Sequence, residues 1–98
     1  MITIRTLPSF DQWLSTIKDT KTSLRLMRRL ERLQNNQFGD IKLIGAGVFE
    51  LREHFGPGWR MYYIQRGSEI IVMLGGGDKS SQAADITKAQ HLAKTLED

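Results

Sequence analysis

Apolar and polar positions recur with readable periods along most of the chain. Ile2–Thr6 alternates apolar and polar, which predicts a short strand, and Pro8 ends it. Phe10, Trp13, Leu14 and Ile17 follow at i, i+3, i+4 and i+7, the stripe of an amphipathic helix. Ser9 and Gln12 have the spacing of a capping box before it, and Trp13 is expected in the core. Leu26, Leu30 and Leu33, flanked by Leu24 and Met27, predict a second helix over 23–35. Ile41–Ile44 reads as a short strand with Lys42 turned outward. Residues 47–79 then read as three strand-like runs joined by two turns. Ser80 or Ser81 is placed to cap a last helix, with Ile86, Ala89, Ala93 and Leu96 inward and His91 at solvent. The order β-α-α-β-β-β-β-α gathers the strands in a run. That implies an α+β fold: a small antiparallel-rich sheet, two N-terminal helices packed on one face, and a C-terminal helix. The expected organisation is one domain over residues 1–98.

Parity within the central run sorts its polar residues. Phe49, Leu51 and Phe55 point one way, and Val48, Glu50, Arg52 and His54 the other. Glu53 breaks the alternation, as a residue near a strand end or beside a bulge does. Gly56-Pro57-Gly58 is a turn. A two-residue loop there would set Arg60 opposite Phe55, inside the core. A three-residue loop sets Arg60 opposite His54 and Tyr62 opposite Arg52. Burying an unpaired arginine is costly, so the three-residue loop is expected. Arg52, His54, Arg60 and Tyr62 then share a face away from the helices. A two-residue turn within Arg66-Gly67-Ser68 would keep Ile70, Val72 and Leu74 on the core face. Gly75-Gly76-Gly77 would emerge near Arg60, with Asp78 and Lys79 next.

Charge sharpens this picture. A net charge of +3 and a pI near 9.5 favour nucleic acid or an acidic partner. Arg52, His54, Arg60, Tyr62 and Lys79 form a group suited to a phosphodiester: guanidinium groups bind phosphate in bidentate fashion, imidazole moves protons near neutrality, and a phenol stacks on a base. The alternative is a solvated sheet face on a basic protein. Arg25, Arg28, Arg29 and Arg32 make a second i, i+3, i+4, i+7 stripe, either a track for a nucleic-acid backbone or a solvated helix face. The chain has no cysteine, hence no disulfide framework and no thiolate metal site. The lack of a signal-like or membrane-length apolar run leads to the expectation of a cytoplasmic protein with no membrane partner. GGGDKS lacks the glycine and spacing of a phosphate loop, and no dinucleotide fingerprint is present. With two histidines far apart, no metal and no other cofactor are expected.

The pattern carried by Glu50-Leu51-Arg52, Gly56-Pro57-Gly58-Trp59-Arg60, Tyr62-Tyr63, Gly76–Gln82 and Asp85-Ile86, with Gln37-Phe38-Gly39-Asp40, resembles the RelE/ParE superfamily of type II toxins, in particular its HigB-like branch. The resemblance implies a cognate antitoxin, with which the chain would form a hetero-oligomer. It also implies action on ribosome-bound mRNA without metal: the ribose 2′-hydroxyl attacks the adjacent phosphate, leaving a cyclic phosphate. Arg60 would clamp the phosphate, Arg52 and Lys79 would share its charge, and His54 would be the acid or base. Tyr62, Lys42 and the helix arginines Arg25, Arg28, Arg29 and Arg32 complete the expected substrate-binding set. No counterpart of the C-terminal Arg and Tyr pair of some relatives is present, so the general acid stays open. A ParE-like poison of DNA gyrase and an inactive antitoxin-binding module are the alternatives.

Overall fold

The computed structural model describes residues 1–96. Its elements are β1 (Thr3–Thr6), α1 (Pro8–Ser15), α2 (Thr20–Gln34), β2 (Ile41–Gly45), β3 (Val48–Arg52), β4 (Arg60–Arg66), β5 (Ile70–Gly77), a 3-10 turn (Lys79–Ser81) and α3 (Gln82–Thr95). The strands form one sheet in the order β1-β5-β4-β3-β2. Strands β2 to β5 run as an antiparallel meander, and β1 lies parallel to β5 at one edge. The α+β arrangement read from the periodicities is the observed one.

Both faces of the sheet are covered. On one, Phe10 of α1 and Leu26 and Leu33 of α2 pack against Leu51, Met61, Tyr63, Ile71 and Met73. Trp13 joins this core, as its place in the α1 stripe requires. On the other face, Ala89 and Ala93 of α3 close on Val48, Tyr62, Val72 and Leu74. Small residues on α3 let the helix approach, and Ile86 and Leu96 fill the flanks. His91 is exposed. The face expected to stay open therefore lies largely under α3.

Two turns differ from the expected lengths, with different consequences. The first loop runs over 53–59, so Arg52 pairs with Arg60 and Glu50 with Tyr62, rather than His54 with Arg60. The backbone N–H of Glu53 donates to the Trp59 carbonyl (3.0 Å), and a tight turn links Gly58 N–H to the Phe55 carbonyl (3.1 Å). Gly56 and Gly58 take φ of 55° and 81° to make it, a region open to glycine. The shift is two residues, so parity survives and Arg52, Arg60 and Tyr62 do share a face. The second loop, residues 67–69, is one residue longer than expected: Arg66 pairs with Ile70. One residue flips the strand. Ile70 and Val72 thus face α3, with Leu74 beside them at a bulge, while Ile71 and Met73 enter the other core.

The caps also differ. Ser9 does not cap α1; its hydroxyl donates to the Leu74 carbonyl (2.5 Å), tying α1 to β5, and Pro8 opens the helix. At α3 the Ser81 hydroxyl donates to Asp85 (2.5 Å), while Asp78 accepts from the Ser80 N–H (2.8 Å) and caps the 3-10 turn.

Candidate functional site

The loop 53–59 gathers the basic side chains. His54 lies in it and is exposed, and its Nε2 contacts Asp40 Oδ2 at 2.5 Å. Arg52, at the base of the loop, donates from Nε to the same oxygen at 3.3 Å. The hydrogen bond from His54, then the Arg52 charge, holds the Asp40 carboxyl below the usual aspartate range. The guanidinium of Arg25 lies 3.7 Å from the centre of the Phe55 ring at the loop tip, a cation–π contact. The aliphatic chain of exposed Lys79 lies over Gly58, so closely that a Cβ there would meet it at 2.9 Å. Arg25, Arg52, His54 and Lys79 thus surround one loop.

Arg29 builds the floor. It is 4 % exposed and forms an ion pair with Glu53. It also donates to the carbonyls of Arg52 (3.0 Å), Phe38 (2.8 Å) and Asp40 (3.0 Å). One buried guanidinium therefore ties α2 to both chain segments that carry the Asp40–His54 contact. This corrects the expectation that Arg29 stands on a solvated stripe with Arg25, Arg28 and Arg32; those three are exposed, as is Lys42 on β2.

Arg60 is the second correction. It is 4 % exposed, beneath the loop rather than on an open face. Its guanidinium donates to the Trp59 (3.0 Å) and Glu53 (3.3 Å) carbonyls, the two ends of the loop, and its Nε lies 3.9 Å from the buried Glu50 carboxylate. Gln82, in the first turn of α3, donates to the other Glu50 oxygen (2.9 Å). Tyr62 is fully buried and is not a stacking surface. Burial, then the Glu50 carboxylate, pushes its phenol above the ordinary range. The Tyr62 hydroxyl lies near Glu50 yet closes no hydrogen bond.

Comparison with known proteins fits this architecture. A family model of phage-derived Gp49-like proteins (DUF891) matches residues 12–97. The chain belongs to the Gp49-like family. An uncharacterised protein of Haemophilus influenzae is 42% identical to it over 97% of this chain and 96% of that one. The fold matches that of a double-arginine variant of the Escherichia coli toxin RelE in the free state, with a TM-score of 0.72, 12% identity and 98% of each chain covered. The fold is therefore RelE-like, the architecture that the resemblance of the motifs implies.

In this Gp49-like chain the sequence-derived candidates divide by exposure. Arg52, His54, Lys79 and Arg25 meet at the loop, Lys42, Arg28 and Arg32 stand on nearby elements at the surface, and Arg29, Arg60 and Tyr62 are interior. Asp40, Glu53 and Gln82 were missed. Glu53 left a signal, since a charged residue on the apolar parity of a strand asks for a buried partner. A cleft of about 380 Å³ lies elsewhere, between α1 and α3, lined by Trp13, Gly76, Asp85 and Lys88 among others. The basic loop is instead an open surface, a shape suited to a polymer.

Proposed function

We propose that this Gp49-like chain is the toxin of a type II toxin–antitoxin module and an endonuclease of ribosome-bound mRNA, neutralised by a cognate antitoxin. The observation that carries the reading is the exposed His54, held against Asp40 beside Arg52, with Lys79 of the 3-10 turn lying over Gly58 of the same loop. RNA brings its own nucleophile, the 2′-hydroxyl, so the protein must move protons and offset charge on the phosphoryl oxygens. His54 is the proton-transfer group. Arg52 and Lys79 stabilise the phosphoryl charge. Arg60 acts from beneath, holding the two ends of the loop. Arg25, Arg28, Arg32 and Lys42 supply a positive approach for the RNA backbone. A gyrase poison needs no phosphodiester site, and a histidine held by a carboxylate among cations favours cleavage over that alternative.

The test induces the chain in a bacterium and maps the 5′ ends of transcripts. Codon-phased cuts are expected, and His54→Ala should lose them by about 10²- to 10⁴-fold, the usual worth of a general acid or base. The exposed His54 is a better probe than the buried Arg60, because its loss leaves the core untouched. Growth arrest with intact transcripts would overturn the nuclease reading in favour of gyrase poisoning. Absence of arrest would leave an antitoxin-binding module.

A further inference from the structure

The Asp40–His54 contact determines which ring nitrogen can act. An ionised carboxylate only accepts hydrogen bonds, so the Nε2 of His54, at 2.5 Å from Asp40 Oδ2, carries the proton. In the neutral imidazole the lone pair is then on Nδ1. The His54 side chain is 60% exposed, which leaves Nδ1 open to a ligand.

Asp40 is itself fixed from several directions. Its carbonyl accepts from Arg29 (3.0 Å) and from the backbone N–H of Arg52 (3.0 Å), and its carboxylate also takes the Arg52 Nε (3.3 Å). The bonds from Arg29 lead into a buried ion pair, so the backbone that carries the Asp40 carboxylate is anchored to α2.

We propose that Asp40, braced by Arg29, is the positioning residue for His54, turning the imidazole so that Nδ1 faces the RNA as proton acceptor. This rests on the nuclease reading. In the step implied, Nδ1 takes the 2′-hydroxyl proton as O2′ bonds to phosphorus. The bond from phosphorus to O5′ breaks, O5′ takes a proton from water, and the imidazolium returns its proton to solvent. Asp40 touches neither RNA nor reacting atoms. It acts through the ring.

The experiment has two arms on the full chain. In the first, cleavage of ribosome-bound mRNA is compared for the wild type, Asp40→Asn, His54→Ala and the double variant, with thermal melts confirming that each folds. An asparagine here can present N–H in place of the carboxylate and so reverse the tautomer. Asp40→Asn is expected to lose about 10²- to 10⁴-fold, the range for a lost general base, and the double variant to cut no more slowly than His54→Ala. Wild-type rates in Asp40→Asn would overturn the proposal. So would losses that multiply in the double variant, because Asp40 would then be acting through Arg52 or directly. In the second arm, the Asp40 carboxyl is titrated by carbon NMR, where the facing groups are His54 and Arg52. It should titrate below an ordinary aspartate and move upward in His54→Ala; no movement would overturn the pairing. If the wild type cuts no RNA, the nuclease reading falls, and the titration still decides whether Asp40 holds His54.

Discussion

Arg29 and Glu53 explain each other. Four arginines of α2 repeat at helical spacing, and nothing in their identity distinguishes them. Yet Leu26, Arg29 and Leu33 also stand at i, i+3 and i+7, so Arg29 lies along the buried line of the helix. Glu53 breaks the alternation of its strand for the complementary reason: it reaches inward to that guanidinium. Breaking a buried pair by removing one partner leaves the other charge uncompensated, at a cost of about 3–5 kcal/mol. Arg29→Met should therefore lower the unfolding free energy in denaturant by about that amount, and Arg29→Lys by less, since it retains the charge. The exposed neighbours Arg28 and Arg32 should each shift it by no more than about 0.5 kcal/mol on replacement by Gln. Equal effects at the three positions would contradict the buried role of Arg29.

At the scale of elements, α3 decides what the sheet presents. The triple glycine lets two helices close on the end of β5. A Cβ at Gly76 would lie 2.4 Å from the Trp13 ring, and one at Gly77 would lie 1.9 Å from Asp85 Oδ2. A Cβ at Gly75 would meet nothing within 4 Å. Overpacking of this kind costs about 1–3 kcal/mol. Gly76→Ala should thus lower the melting temperature by several degrees, while Gly75→Ala should change it little. A reversed order would mean that α1 does not seat on β5 as described. The covering of the second face was illegible for a definite reason. Ile70–Leu74 is apolar on both parities, so it marks two buried faces without saying which helix covers which. Glu50, Arg60 and Tyr62 then read as a solvated row, although Gln82 and the carbonyls of loop 53–59 satisfy much of their polarity under α3.

The whole molecule carries a net charge of +3, and its exposed cations around loop 53–59 and along α2 set its field. Association with single-stranded RNA should weaken with salt, with a log–log slope of about −0.7 for each phosphate contact. Replacing Arg28 and Arg32 together by Gln should make that slope shallower by about 1.4 units if both touch phosphate, measured by binding of unstructured RNA across a KCl series. An unchanged slope would remove α2 from the RNA path. Described residues contain no helix long and apolar enough to cross a membrane. From the residues alone, the element order, the α+β class and both helical apolar stripes were determined, because periods of 3.6 and 2 are local properties of the chain. The motifs around Gly56-Pro57-Gly58 and Gly76–Gln82 were enough to indicate the RelE-like fold. Tertiary structure alone decided which cations are free and which are interior. It buried Arg29 and Arg60, left Arg52, His54 and Lys79 around one loop, and brought in Asp40 from fourteen residues away. Loop lengths and the seat of α3 govern those contacts, and both depend on packing between distant segments that no local period encodes.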